Sequence, residues 1–177
     1  KGEKTGSGKI KYGDDCEYEG TIDKGVLQGN GIMKWINGVQ YRGEFSRNCF
    51  CGKGILTNSQ GEKYIGNFDK NLFNGDGTYF FNNGSSYKGN FELGLKKGKG
   101  VYNRYDGFIY EGEWENNLAN GIGKVKYGNC VIKCAWRNGK IFEKPVYEKG
   151  NQEEFKGISL NFEPEETLLD TNELNHL

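Results

Sequence analysis

The sequence predicts an all-β fold, an elongated antiparallel sheet of stacked β-hairpins followed by a short C-terminal extension. Three observations carry this. Tyrosine recurs every 23 residues, at Tyr18, Tyr41, Tyr64, Tyr87 and Tyr110. Glycine makes up 29 of the 177 residues, and 25 of those fall on the slots of the repeat. The only prolines are Pro145 and Pro164. The first 144 residues therefore hold nothing that would delete a ladder hydrogen bond from a central strand.

With each tyrosine as position 0, glycine follows at position 2 (Gly20, Gly43, Gly66, Gly89, Gly112) and a large apolar residue at position 4 (Ile22, Phe45, Phe68, Phe91, Trp114). Glycine returns at positions 11 and 13, as in Gly52 and Gly54 or Gly121 and Gly123. Position 7 reads Gly2, Gly25, Asn48, Asn71, Gly94, Asn117 and Gly139. Glycine and asparagine share a tolerance of positive φ, so this slot is a turn. Gly38, Gly61, Gly84 and Gly107 mark a second turn at position 20. The segments between turns alternate with period 2, so each repeat is a hairpin.

Taken in order, the chain opens with a half-repeat over residues 1–17, continues through five full units from the five tyrosines, and adds a degenerate unit from Ile132. In that last unit Cys134 stands in the glycine slot and Trp136 in the aromatic one, and the array ends near residue 143. A first strand over positions 0 to 4 and a second over 13 to 17 would set Phe68 opposite Gly77 and Tyr79 opposite Gly66. One face of the sheet is then aromatic, while Glu111 and Glu113 typify a solvated face. Six and a half hairpins at about 10 Å each imply roughly 60 Å of sheet.

Residues 144–177 form an acidic extension. Residues 149–177 hold two Lys/Arg against seven Asp/Glu, which leaves the preceding chain with 22 against 17. Pro164 followed by Glu165 and Glu166 reads as a helix start, with Leu168, Leu169, Leu174 and Leu177 as a modest apolar stripe. Phe162 and this helix are expected to fold back over the array or cap its last edge, with docking to a basic groove as the alternative.

The string carried by Tyr110, Gly112, Trp114, Gly121 and Gly123, YEGEW followed by NGIG, resembles the MORN (membrane occupation and recognition nexus) repeat. The period, the tyrosine, the aromatic at position 4 and the paired glycines match over residues 1 to about 143. Departures are Ile22, the Ile132 unit, and the absence of the histidine the family often places before its first paired glycine, where Gln28, Cys51, Asn74, Lys97 and Asn120 stand. The resemblance implies an elongated, single-layer, twisted antiparallel sheet of stacked hairpins with no catalytic centre, to which the residues of the tail add a short helix-containing C-terminal extension. It also implies work as a scaffold, a dimerising element of cytoskeletal assemblies, a membrane-linked module, or a domain attached to an enzyme.

Composition excludes several classes. The net charge is zero and the body only mildly basic, which argues against nucleic-acid binding. The one histidine is His176, so a histidine-based nucleophile or a multi-histidine metal site is not available. Mean hydropathy is -0.81, with no apolar run near the ~20 residues a membrane helix needs. With no secretory signal, the five cysteines read as reduced thiols of a cytoplasmic protein, with association with membrane or cytoskeleton as a further expectation. Gly6-Ser7-Gly8-Lys9 lacks the spacing of a phosphate loop, and Cys49/Cys51 and Cys130/Cys134 lack that of a zinc site. No enzyme, cofactor, metal or small-molecule substrate is expected.

The leading candidate site is an aromatic groove of Tyr41, Phe45, Tyr64, Phe68, Tyr87, Phe91, Tyr110 and Trp114, offered to a protein partner or a second copy, with mutual ring packing as the bland alternative. The second is a loop cluster of Lys96, Lys97 and Lys99 facing an anionic phospholipid surface, against a plain solvated loop. The third reading makes the chain a regulatory domain of a larger enzyme such as a phosphatidylinositol phosphate kinase, since it opens inside a repeat and without methionine.

Overall fold

The computed structural model describes residues 5–162. They divide between Asn82 and Asn83 into two compact units. In the first, β1 (Gly6–Tyr12), β2 (Cys16–Asp23), β3 (Val26–Trp35), β4 (Gln40–Ser46), β5 (Cys49–Thr57), β6 (Lys63–Asp69) and β7 (Leu72–Phe80) pair antiparallel in chain order. In the second, β8 (Ser86–Glu92), β9 (Leu95–Asn103), β10 (Ile109–Glu115), β11 (Leu118–Tyr127) and β12 (Cys130–Arg137) do the same. The short β13 (Lys140–Ile141) and β14 (Val146–Lys149) then pair along the far edge of β12. The all-β antiparallel expectation holds, and each unit is one layer of sheet.

The hairpins close more tightly than the sequence suggests. At the first turn two successive residues have positive φ, as in Lys70 (47°) and Asn71 (70°), which closes the ladder at Asp69 opposite Leu72. Two-residue turns of this kind match the right-handed twist of the flanking strands. Position 6, which sequence reading passed over, is thus left-handed without glycine at Lys24, Arg47, Lys70, Leu93, Asn116 and Asn138.

The tight turn overturns the expected register. The second strand begins at position 8 rather than 13, so Tyr64 faces Tyr79, Gly66 faces Gly77 and Phe68 faces Phe73. Between the last two pairs the register shifts: Asn67 stands opposite three residues of β7, with Gly75 at φ 79° in the middle. The glycine at position 11 therefore builds a bulge, and across the next pairing it lies opposite the aromatic of the following repeat, as Gly52 does with Phe68. Glycine faces glycine on every strand of the first unit, from Gly8 and Gly20 through Gly31, Gly43, Gly54 and Gly66 to Gly77.

Asparagine at position 7 does more than tolerate the turn. Asn71 donates its backbone N-H to the Phe50 carbonyl (3.1 Å) and accepts the Phe50 N-H on Oδ1 (2.6 Å), and Asn48 and Asn117 make the same pair of bonds to Leu27 and Lys96. Each of these three hairpin turns is thereby tied to the strand of the preceding repeat.

In the extension, β14 is followed by a single 3-10 turn, Gln152–Phe155, capped by Asn151 Oδ1 accepting from the Glu153 N-H (3.0 Å). No α-helix occurs among the described residues. The helix expected from Pro164, with its leucine stripe, lies outside them.

A Cβ placed on Gly43 would lie 2.6 Å from the Gly54 Cα and against the Tyr41 hydroxyl, whereas one on Gly61 meets nothing and suffers only its φ of 89°. Gly43→Ala is therefore expected to cost about 2–3 kcal/mol in urea unfolding, and Gly61→Ala about 1 kcal/mol. Equal losses, or the reverse order, would show that the glycine row is not a steric requirement.

Candidate functional site

The aromatic face is built around the position 0 tyrosine. The ring lies flat on the two facing glycines: a Cβ on Gly54 would meet Tyr41 ring atoms at 2.6 Å. The phenol donates to the carbonyl three residues on, from Tyr41 to Glu44 (2.8 Å), Tyr64 to Asn67 (2.9 Å), Tyr87 to Asn90 (3.1 Å) and Tyr110 to Glu113 (3.0 Å). The ring edges meet position 4 aromatics. Tyr41 packs edge-on against both Phe45 and Phe68 with centroids 5.1 Å apart, and Tyr110 against Trp114 and Trp136 at 5.3 and 4.9 Å. Position 9 covers the remaining ring face, with Phe50 stacked on Tyr41 at 3.8 Å and Phe73 on Tyr64 at 3.9 Å.

All eight residues of the expected groove are consequently buried, none more than 4% exposed. They pack against one another, and an incoming partner would not find them as an open aromatic surface. Sequence reading missed the position 9 residues Leu27, Phe50, Phe73, Lys96 and Ala119, although four of the five are apolar at the same 23-residue spacing.

Lys96 is the exception in that slot, and it corrects the lysine cluster. It lies in β9 rather than on a solvated loop and is 3% exposed, with Nζ 5.0 Å from the Trp114 ring centroid and 5.3 and 5.5 Å from those of Tyr87 and Tyr102. Buried in this way, it does not face a lipid surface. Lys97 and Lys99 are exposed in the same strand, and Lys97 is ion-paired with Glu92.

On the second unit the aromatic face carries a segment of the chain's own extension. The Phe162 ring sits among Tyr102, Phe108, Tyr110, Trp114 and Trp136, at centroid distances from 4.8 to 6.5 Å. Main-chain bonds fix the segment: the Phe162 N-H donates to the Gly139 carbonyl (2.8 Å), Trp136 Nε1 to the Leu160 carbonyl (3.2 Å), and an Arg104 guanidinium nitrogen to the Ser159 carbonyl (3.2 Å). Arg104 is held for this by Asp106, whose carboxylate accepts from it twice at 2.9 Å and is kept below the usual carboxylate range by those bonds. The fold-back expected of Phe162 is what the structure has.

The degenerate unit follows the same rules. Ile132 takes the tyrosine slot and lays no phenol over the glycine position, so Cys134 fits there, opposite Gly123, with Trp136 1% exposed in the aromatic slot. Burial pushes the Cys134 thiol up to about 12.

The opposite face of the first unit is open. A groove of about 660 Å³ runs over the glycine row there, with Ile55 and Ile65 on its floor and Arg42, Lys53 and Asp76 along its sides. Among the described residues no group of three or more His, Cys, Asp or Glu is placed to hold a metal ion.

A family model for the MORN repeat matches residues 18–40, 41–63, 64–86, 87–108 and 110–129. The chain belongs to the MORN repeat family. The five matched segments are the five units that begin at Tyr18, Tyr41, Tyr64, Tyr87 and Tyr110, and only MORN repeats are matched. No curated protein matches the chain. No helix among the described residues is long and apolar enough to cross a membrane. The MORN tyrosine is thus the residue that joins glycine row, position 4 aromatic and position 9 cover.

Burial raises the phenols of Tyr41, Tyr64, Tyr87 and Tyr110 well above their ordinary value near 10. The folded chain therefore keeps protons that the unfolded chain releases above about pH 10, so stability from these groups is full below that pH and falls as pH rises. Melting temperatures measured from pH 8 to 11.5 should decline above pH 10. Tyrosinate absorbance from the buried rings should appear with unfolding, and appearance in the folded state would contradict their burial.

Proposed function

We propose that this MORN array is a non-enzymatic scaffold that binds a protein partner, or a second copy of itself, as an extended segment laid across the aromatic face. The observation that supports this reading is residues 159–162. A stretch of chain outside any helix or strand already lies on the face, anchored by one inserted ring and by hydrogen bonds with Gly139, Trp136 and Arg104 that are independent of the stretch's other side chains. Burying one phenylalanine ring contributes about 2–3 kcal/mol, and main-chain bonds set direction without demanding a long sequence motif.

The individual repeat tyrosines serve this surface from beneath. They are committed to the glycine row, and Tyr87 and Tyr110 pack edge-on against Trp114 and Trp136, two of the rings that touch the incoming side chain. The partner's anchor reads the shape between those rings.

Full-length chain carrying Phe162→Ala, shown to stay folded, should select extended peptides with an aromatic anchor from a displayed peptide library. Those peptides should bind the unsubstituted chain at least ~10-fold more weakly, because its own ring competes, a difference of about 1.4 kcal/mol. No enrichment of aromatic anchors, or equal binding to both chains, would overturn the reading.

A further inference from the structure

On the open face of the first unit, away from the aromatic rings, pairing across β2 to β7 sets Glu19, Ile32, Arg42, Ile55, Ile65 and Thr78 in one cross-strand row. The groove of about 660 Å³ lies along this row. Ile55 and Ile65 are 38% and 39% exposed, so the row carries aliphatic surface that no described segment covers. Arg42 stands between Ile32 and Ile55, and Lys53 lies two residues before Ile55 on the same face of β5. Both side chains are exposed, and among the described residues neither has an ion pair. The acids around them are engaged elsewhere: Glu19 pairs with Lys9 at 2.9 Å, and a Glu44 carboxylate oxygen accepts the Lys53 backbone N-H at 2.9 Å. Asp76, two strands beyond Lys53 on β7, lines the far end of the groove.

From β2 to β7 the groove crosses five strand spacings, about 24 Å in all. The backbone of β3 to β6 is already engaged in ladders with a neighbour on each side. A segment laid across this face therefore gains few main-chain partners and must satisfy its own polar groups, as an α-helix does, about 16 residues spanning the distance. The isoleucines ask for an aliphatic stripe on that helix, and the two unpaired cations ask for carboxylates beside it. We propose that the open face of the first unit docks an acidic amphipathic helix of a partner protein, with its aliphatic stripe on Ile32, Ile55 and Ile65 and Asp or Glu set against Arg42 and Lys53. A second copy of the chain is the poorer occupant, because a two-fold contact centred on the groove would bring the same two cations against each other. The site is independent of the aromatic face, since the glycine positions between them turn toward the Tyr41 ring on the other side of the sheet.

The test selects, on full-length chain, from a displayed library of helices of about 18 residues that carry a fixed leucine stripe and randomised flanking positions. Enriched helices should hold Asp or Glu beside the stripe. Followed as labelled peptides by fluorescence polarisation, they should bind the Arg42→Glu chain at least ~10-fold more weakly than the unsubstituted one. A peptide whose flanking acid is changed to lysine should instead prefer the Arg42→Glu chain, a reversal that a misfolded variant does not produce. Lys53→Glu repeats the comparison from a different strand, Ile55→Asp should abolish binding of every selected helix, and Phe162→Ala should leave it unchanged. Enrichment of neutral or basic helices, no enrichment, or equal affinity for the unsubstituted, Arg42→Glu and Lys53→Glu chains overturns the proposal. Loss of binding with Phe162→Ala would put the helix on the aromatic face and overturns it too. Self-association of the unsubstituted chain in sedimentation, abolished by Ile55→Asp, would make the occupant a second copy and equally refute it.

Discussion

Each repeat depends on one contact, a tyrosine ring lying flat on two glycines that face each other across neighbouring strands. Any side chain on either glycine would occupy the volume of the ring, as a Cβ at Gly54 shows by meeting Tyr41 at 2.6 Å. With the ring down, its hydroxyl reaches the carbonyl three residues on and its edges meet the aromatics at position 4. A sheet only one layer thick thereby gains a core, because the aromatic side chains, lying down rather than standing up, cover one another.

The degenerate unit shows that the two slots act together. Where Ile132 replaces the tyrosine, the facing glycine is no longer required and Cys134 takes its place, while Trp136 keeps the aromatic slot and stays buried. The same coupling explains Lys96. Its slot is the cover over the tyrosine ring, where a long stem with a cationic head replaces a phenyl ring and the faces of Tyr87, Tyr102 and Trp114 surround the ammonium. A surface lysine and this one cannot be told apart by counting charges along the chain, and the nearby Lys97 and Lys99 are in fact exposed.

Much of the fold was legible from residue spacing. The repeat, the hairpins, both turns and the aromatic face follow from tyrosine and glycine periodicity, and Phe162 was expected to fold back with the tail. The strand register did not, since glycine at position 7 or position 11 looks alike in sequence. One makes a two-residue turn and the other a bulge, and that choice shifts the pairings of Tyr64 and Gly66 by two residues and that of Phe68 by four, so Gly66 meets Gly77 and not Tyr79. Position 9 was missed for the same reason, being assigned to the loop that a longer turn would have required.

The amino-acid sequence by itself determined the repeat family, the all-β architecture and the rule that glycine must accompany tyrosine, because these are local steric demands that recur every 23 residues. Only the tertiary structure decided which surfaces remain exposed. Whether a ring is groove or core depends on what lies on top of it, and that is set by contacts between residues far apart in sequence, such as Phe162 among Tyr102, Trp114 and Trp136. Periodicity gives the identity of the face, whereas burial is a property of the assembled rings.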